Sequence, residues 1–206
     1  MICWVVERAL AARNVSRAIV ATDDQRIIDA VRSAGHEAVM TGAHHKSGTD
    51  RIAEVAASLE DADIVVNVQG DEPLISPLTI ERAVDEIRKK WKGEGGKDQI
   101  GIVTTWEPME SAADVLNPDV VKVVVDDYES AIYFSRSPVP YPREAVRKHG
   151  SIEAAILEEP ALLTNFRKHT GLYVYRRDVL LEFANWPQSE LGTFESLSNC
   201  ERWSMA

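Results

Sequence analysis

The segment Asp63–Pro73 constrains the fold of this chain more than any other part of the sequence. A β-branched run ends at Gly70, and two carboxylates, Asp71 and Glu72, follow directly. An uninterrupted apolar run of this kind predicts a strand of a parallel sheet that is covered on both faces. Ligands of open α/β sheets bind beyond the carboxyl ends of the strands, which is where the two acids would emerge.

These two acids allow two interpretations. Hard oxygen ligands suit Mg²⁺, which usually binds together with the phosphates of a substrate. Acidic residues are equally common in turns that are merely solvated. The segment alone therefore leaves open both a magnesium–phosphate site and an ordinary turn.

The composition limits the class of protein. The chain has 206 residues, of which 45% are hydrophobic, enough for one α/β domain with a full core. Its net charge of -10 argues against nucleic acid and anionic membranes as partners. Cys3 and Cys200 cannot build a disulfide framework or a zinc site, and they fit a reducing cytosol. With no signal peptide and no apolar stretch of membrane-spanning length, we expect a soluble cytoplasmic protein.

Helical and extended patterns alternate along the first half of the chain, which predicts βαβ units and a mostly parallel sheet with helices on both faces. The predicted helices cover residues 2–13, 25–34, 49–59, 77–91 and 178–184, with a mobile helical insertion at about 151–163. The predicted strands cover residues 18–22, 37–40, 64–68, 100–106, 120–125, 131–135 and 169–175. A hairpin turn is expected at 126–129 and a charged, glycine-rich turn at 92–98. We predict one domain, because no linker or internal repeat is visible.

A second polar cluster runs from His44 to Arg51, where a loop enters a predicted helix. The free N–H groups and positive dipole end of that helix would attract anions. Lys46 and Arg51 add donors for a phosphate or a nucleobase carbonyl. The alternative is a plain N-cap by Ser47 or Thr49, with the arginine solvated.

A third cluster lies on the predicted strand near residue 170. His169, Gly171, Tyr173 and Tyr175 alternate along it and would share one face. Imidazole and hydroxyl groups on a rigid strand suit recognition of a sugar acid, although an ordinary amphipathic strand gives the same pattern. The sequence contains no nucleophile elbow, Walker loop, zinc-protease motif or dinucleotide fingerprint.

Taken together, the three clusters resemble successive blocks of the 3-deoxy-manno-octulosonate cytidylyltransferases, also called CMP-KDO synthetases. The similar blocks are 19–24, 47–51 and 66–73, followed in order by 117–118 with 121–124, 131–136, Pro140 and 169–173. The resemblance implies a Rossmann-like nucleotidyltransferase fold. It extends over a domain at 1–197, which we expect to be incomplete, and leaves an atypical tail at 198–206.

The same resemblance implies a reaction. Enzymes of this family transfer CMP from CTP to the sugar acid KDO, giving CMP-KDO and pyrophosphate for lipopolysaccharide biosynthesis. Mg²⁺ is the implied cofactor, CTP and KDO are the implied small-molecule partners, and a homodimer is the implied assembly. A cytoplasmic location is consistent with these substrates.

The resemblance also assigns expected roles to individual residues. Asp71 would bind Mg²⁺, and Gln69 would lie near the nucleotide and the sugar. Ser47 and Arg51 would contact the cytidine part of CTP. On the sugar side, the expected residues are His169 and Tyr173 facing KDO, Glu195 as a weaker candidate, and Arg136 supporting the site or the subunit interface.

Two departures from the family pattern accompany the resemblance. The chain opens on a helix where family members have a strand and a triphosphate-binding loop, and residues 198–206 replace a late block that carries a second Mg²⁺ carboxylate. We therefore expect low or absent activity from the chain as written. Two alternatives stay open: a cytidylyltransferase for another sugar acid such as sialic acid, and a non-catalytic protein that binds an intact partner. The role of the insertion at 144–163 is also left open.

Overall fold

The computed structural model describes residues 1–91, 100–187, 190 and 193. Its helices are α1 (Ile2–Leu10), α2 (Gln25–Ser33), α3 (Gly48–Ala57), α4 (Pro77–Trp91), α5 (Ala112–Leu116), α6 (Arg143–His149), α7 (Ile152–Glu158) and α8 (Arg177–Phe183), with a 3₁₀-helix at Pro160–Asn165. Its strands are β1 (Ile19–Thr22), β2 (Glu37–Met40), β3 (Ile64–Asn67), β4 (Ile102–Pro108), β5 (Lys122–Val125), β6 (Ala131–Ser135) and β7 (Arg167–Arg176).

The chain forms two compact units. The first unit contains Met1–Thr105 and Gly171–Trp186, and the second contains Trp106–Thr170 together with the described residues from Pro187 onward. Strands β4 and β7 each contribute residues to both units. The expected extent of the cytidylyltransferase domain, residues 1–197, stays a prediction.

After α1, the first unit contains a βαβ element, as predicted. Strands β1 and β2 pair in parallel, from Ile19 opposite Glu37 to Thr22 opposite Met40. The intervening helix α2 starts where Asp24 accepts a hydrogen bond from the Arg26 amide, and it stops before Gly35, whose φ is +81°. A small core closes this element, formed by Val6, Val20, Ile28, Val31 and Ala38.

The prediction of a mostly parallel sheet is wrong for β3. This strand pairs antiparallel with β7, from Ile64 opposite Arg176 to Asn67 opposite Tyr173. In the second unit, β5 pairs antiparallel with β6 and, at Lys122 opposite Lys168, with β7. The β-branched run of β3 reflects burial against helices, and burial does not determine the direction of the neighbouring strand.

A larger core packs helices α1 and α4 against β3 and β7. Its fully buried residues are Ala12, Ile80, Ala83, Val84, Ile87, Leu172 and Val174. Ile64, Val66 and Val68 pack on the same cluster, so alternate residues of the β3 segment face these helices. Val65, Asn67 and Gln69 consequently point to the opposite face.

The second unit contains the predicted hairpin of β5 and β6. The Asp126 carboxylate accepts hydrogen bonds from the amides of Tyr128 and Ser130, and Glu129 closes the turn with φ of 62°. Helix α5 was not predicted, although Ser111 and Asp114 form the capping pattern that signals a helix start. The helical nature of the segment near 151–163 is confirmed by α7 and the 3₁₀-helix, whereas its mobility stays a prediction.

Two predicted segments, the turn at 92–98 and the tail at 198–206, lie outside the described residues. Among the helices that are described, none combines the length and the apolar character needed to cross a membrane.

The buried residues of the second unit gather around Met109, Val115, Ile156 and Phe166.

Candidate active site

The carboxyl ends of β1 and β2 are joined by one arginine. The Arg51 guanidinium donates from Nη1 to the Thr41 hydroxyl at 2.6 Å and approaches the Asp23 carboxylate with Nη2 at 3.1 Å. Asp23 directly follows β1, and Thr41 directly follows β2. The arginine side chain is 19% exposed, so the protein holds it between two strand ends and leaves part of it accessible.

Ser47 sits at the start of α3 and caps it. Its hydroxyl accepts a hydrogen bond from the Asp50 amide at 3.1 Å, which confirms the N-cap interpretation of this cluster. Thr49 in the same turn is fully buried, and within the described part of the chain its hydroxyl oxygen has no hydrogen-bond partner. The expected contact of Ser47 and Arg51 with cytidine stays a proposal.

The loop between β2 and α3 is tied down by a carboxylate of the same helix. Glu54 accepts a hydrogen bond from the Gly42 amide at 3.1 Å and pairs with the His45 ring. These contacts, first the His45 bond and then the Gly42 amide, lower the pKa of the Glu54 carboxyl. The loop that leads to Ser47 is therefore anchored at its base.

The two predicted acids do emerge at the carboxyl end of β3. The turn is closed by a hydrogen bond from the Glu72 amide to the Gln69 carbonyl at 3.2 Å. Asp71 and Glu72 are exposed, and across the described residues neither carboxylate makes a hydrogen bond or an ion pair. Gln69 lies beside Gly171, which adopts a φ of +71°: a Cβ added there would approach the Gln69 Cγ to 3.8 Å.

The carboxylates at this turn could bind Mg²⁺ only together with ligands from a substrate and water. The described residues contain no group of three or more His, Cys, Asp or Glu side chains that could hold a metal ion. Mg²⁺ typically uses one or two carboxylates and takes its remaining ligands from water and substrate phosphates. Asp71 fits a magnesium ion that arrives with a nucleotide, and it does not fit a preformed protein cage.

Asn67 was not among the predicted site residues. It is 2% exposed, and within the described residues its Nδ2 atom lacks a hydrogen-bond partner. A buried polar atom of this kind needs an explanation, because leaving it unpaired is costly. The signal in the sequence is a single amide inside an otherwise apolar run, two residues before Gln69.

Tyr173 and Tyr175 share one face of β7, as predicted. Their rings stack at 6.0 Å with an interplanar angle of 21°, while Leu172 and Val174 face the helical core. Tyr175 is fully buried and also packs on Phe183, so it belongs to the interior. Tyr173 lies opposite Asn67 in the ladder and is 3% exposed, and its contact with KDO stays a proposal.

In the second unit, His169 is held as a neutral imidazole. Burial lowers its pKa from the usual range to about 4, because a charged ring would lose its hydration. The ring meets Phe134 edge-on at 5.1 Å, and its backbone amide donates to the Val121 carbonyl at 2.9 Å. At neutral pH a ring of this kind has both a donor and an acceptor nitrogen.

Two cations brace the loop before β5. Arg136 donates from Nη1 to the Pro118 carbonyl at 2.8 Å. Lys122, which is fully buried, donates from Nζ to the carbonyls of Asn117 at 2.9 Å and Val120 at 2.6 Å. Sequence reasoning did not single out this lysine, because a lysine inside a strand pattern gives no sign of burial.

The predicted site residues are therefore distributed between the two units. The first unit contains Ser47, Arg51, Gln69, Asp71 and Tyr173, whereas the second contains Arg136 and His169. Glu195 lies outside the described residues. The structure brings Gln69 to Gly171 and Arg51 to the ends of β1 and β2.

Comparisons with known proteins give a consistent result. Residues 1–203 match the profile of the cytidylyltransferase family. The 3-deoxy-manno-octulosonate cytidylyltransferase of Trichlorobacter lovleyi is 46% identical over 197 residues, covering 96% of this chain and 73% of that protein. The enzyme of the same name from Geotalea daltonii is also 46% identical, with the same coverage.

Solved structures agree with the sequence matches. A CMP:2-keto-3-deoxy-manno-octonic acid synthetase in complex with CTP superimposes with a TM-score of 0.78 and 40% identity, covering 95% of this chain and 71% of that one. A 4-diphosphocytidyl-2C-methyl-D-erythritol synthase from Anaerococcus prevotii, at 11% identity and a TM-score of 0.51, shares the fold alone. These matches confirm the predicted α/β nucleotidyltransferase fold, and the chain belongs to the cytidylyltransferase family.

Proposed function

We propose that this protein transfers CMP from CTP to KDO, releasing pyrophosphate and supplying CMP-KDO for lipopolysaccharide biosynthesis. The observation that carries the proposal is the match to a CMP-KDO synthetase in complex with CTP, at 40% identity over 95% of this chain. The curated relatives named for KDO support the same substrate. The exposed Asp71 turn and the anchored Arg51 supply the types of side chain that the reaction needs.

The reaction requires positioning and charge neutralisation more than covalent chemistry. The anomeric hydroxyl oxygen of KDO forms a new bond to the α-phosphorus of CTP. The bond from that phosphorus to the bridging oxygen breaks, pyrophosphate departs, and the hydroxyl proton passes to solvent. Mg²⁺, when bound, neutralises phosphate charge in such transfers.

The residues of the first unit are assigned to the nucleotide. Asp71 would hold the metal ion, and Gln69 would orient the reacting groups beside it. The Arg51 fork retains donors beyond those used by Asp23 and Thr41, and these would meet an acceptor of the cytidine part. Ser47 would contribute from the first turn of α3.

The sugar is assigned separately to polar groups of β7 and to Arg136, which follows β6. A neutral His169 can donate to one sugar hydroxyl and accept from another, without adding charge to the site. Tyr173 offers a phenolic hydroxyl, and Arg136 offers a cation for the carboxylate of the sugar acid or support for its surroundings. Glu195, the weaker candidate, keeps its proposed role on the sugar side.

The decisive experiment incubates the 206-residue protein with CTP, KDO and MgCl₂ and measures both pyrophosphate and CMP-KDO. A panel with sialic acid in place of KDO tests the alternative sugar acid, and omission of Mg²⁺ tests the cofactor. Product with KDO but not with sialic acid would support the proposal, and a rate well below that of a curated relative would agree with the low activity expected from the sequence. Tight binding of CTP without any product would contradict the proposal and favour the non-catalytic alternative. Homodimer formation and a cytoplasmic location stay predictions, which sedimentation and cell fractionation can check.

A further inference from the structure

Two charged side chains of α3, one turn apart, reach two consecutive residues of the segment that leaves β2. Arg51 donates from Nη1 to the Thr41 hydroxyl at 2.6 Å, and the Glu54 carboxylate accepts from the Gly42 amide at 3.1 Å. Residues three positions apart lie on the same face of a helix. The arginine and the glutamate therefore hold the Thr41–Gly42 dipeptide against α3 from its two ends.

The same dipeptide is attached to β1. The Thr41 amide donates to the Thr22 carbonyl at 2.9 Å, and the next residue of that chain segment, Asp23, meets Nη2 of Arg51 at 3.1 Å. Both partners of the arginine thus belong to backbone that is linked across the β1 and β2 ends. The direction of the Arg51 fork depends on where the Thr41 hydroxyl lies, and Glu54 fixes the residue that follows it.

His45 makes this anchor more rigid. The Gly42 amide and the His45 ring nitrogen Nε2 both bond to Oε2 of Glu54. A carboxylate only accepts, so the imidazole donates from Nε2. The His45 side chain is 10% exposed and its ring lies 4.4 Å from that of His44, which rests against Gly42: a Cβ added there would come within 2.3 Å of the His44 Cε1. The two rings limit the access of water to the bond between Gly42 and Glu54, which strengthens it.

We propose that Glu54 is a positioning residue, which fixes the Arg51 fork for the nucleotide by holding Gly42 and Thr41 in place. This inference rests on the proposed role of Arg51 in binding CTP. Without the carboxylate, the Gly42 amide would bond to water and the dipeptide would gain freedom, so Arg51 would lose order that it now has before CTP binds. The loss should appear in CTP affinity and not in the rate at saturating CTP.

The first test measures CTP binding by calorimetry. Glu54→Ala should weaken binding about tenfold, whereas Glu54→Gln should weaken it less than about threefold, because the amide oxygen can still accept from both donors. Glu159→Ala is the matched control and should leave binding unchanged: Glu159 accepts from the His149 ring at 2.9 Å and from Lys148 at 2.7 Å, in the second unit. Should Glu54→Ala not fold, Glu54→Asp, whose carboxylate is one methylene short of both donors, replaces it.

A double variant separates positioning from a general loss of structure. If Glu54 acts through Arg51, adding Glu54→Ala to Arg51→Lys should cause no further loss of CTP affinity. Losses that multiply, or an equal loss in Glu159→Ala, would overturn the inference.

A measurement without CTP keeps the inference independent of nucleotide binding. Exchange of the Arg51 Nε proton with water, followed by ¹⁵N NMR, should quicken about fivefold in Glu54→Ala and stay unchanged in Glu159→Ala. A purely local role of Glu54 would quicken exchange of the Gly42 amide alone, and that result would overturn the inference. If the unmodified protein does not bind CTP, the proposed function fails at this strand end, and the exchange of the Arg51 proton decides whether Glu54 positions the arginine.

Discussion

The polar groups at the end of β1 and β2 differ in one respect from those at the end of β3. At the first location, Arg51 is fixed by Thr41 and Asp23, two residues that the chain itself supplies. At the second, Asp71 is exposed and, within the described residues, makes no hydrogen bond or ion pair. One group is positioned before any ligand arrives, and the other is left available.

We infer from this difference that the residues at the two strand ends have different roles in binding. A side chain that is already fixed loses little freedom on binding, so it favours selectivity for one ligand. A carboxylate without protein partners keeps its full charge for a cation that arrives with a phosphate. Changes at the two locations should accordingly affect different measured quantities.

The largest effect is expected for Asp71→Asn. If this carboxylate holds Mg²⁺ at the reacting phosphate, its loss should lower the rate of CMP-KDO formation about 100- to 1,000-fold. The free energy of unfolding should hardly change, because the side chain is exposed. Initial rates at several MgCl₂ concentrations, with chemical denaturation of the same preparations, provide the measurement.

Glu72→Gln is the matched control for this prediction, since it removes the neighbouring exposed charge from the same turn. We expect it to change the rate only slightly. Equal losses in the two variants would mean that the turn provides charge in general and that Asp71 has no special role.

His169 extends the comparison to a side chain that burial keeps in its neutral form. The unfolded chain takes up a proton near pH 6.5, whereas the folded protein does so only near a pKa of about 4. Stability should therefore fall as the pH is lowered through this window, by about 2 kcal/mol between pH 8 and pH 5. Urea denaturation across that range should show a smaller fall for His169→Gln than for the unmodified protein. Identical pH profiles would mean that the imidazole is hydrated in the folded state.

Much of the fold could be predicted from local signals. The boundaries of α4, β2 and β6 agree with the prediction, because Pro77 starts α4 and turn residues flank the two strands. The direction of β7 beside β3 could not be predicted, since an apolar run records burial and not the orientation of its neighbour. Helix α5 was missed because its five residues are too few for a periodic pattern.

The site was predictable to a lesser degree. The positions of Asp71 at the end of β3 and Ser47 at the start of α3 follow from local patterns of glycine, acid and cap residues. The partners of Arg51 do not, because Asp23 and Thr41 reach it from two other elements. The buried amide of Asn67 was visible as an exception in an apolar run, yet only tertiary packing shows that its Nδ2 has no partner among the described residues.

Arg51→Lys sharpens the comparison at the other strand end. Lysine keeps the positive charge but cannot hold Thr41 and Asp23 with a planar fork. We expect CTP affinity, measured by titration calorimetry, to fall about tenfold, and the free energy of unfolding to fall by about 1 kcal/mol. Arg26→Lys serves as the control, because Arg26 is 91% exposed and, within the described part of the chain, its ion pair is with Asp24 on the protein surface. An unchanged CTP affinity in Arg51→Lys would mean that this arginine holds Thr41 and Asp23 together and does not bind CTP.

Ser47→Ala should have the smallest effect on stability and CTP binding. The chain offers two matched controls for it. The hydroxyl of Ser47 caps α3 through the Asp50 amide at 3.1 Å, as Ser111 caps α5 at 3.1 Å and Ser151 caps α7 at 3.0 Å. Loss of any one of these caps should lower the free energy of unfolding by about 1 kcal/mol. Only the loss of the α3 cap should also weaken CTP binding, since Arg51 belongs to α3 and to neither of the other two helices. Equal stability losses with no difference in CTP binding would reduce Ser47 to a cap and would leave Arg51 to recognise the nucleotide at this strand end.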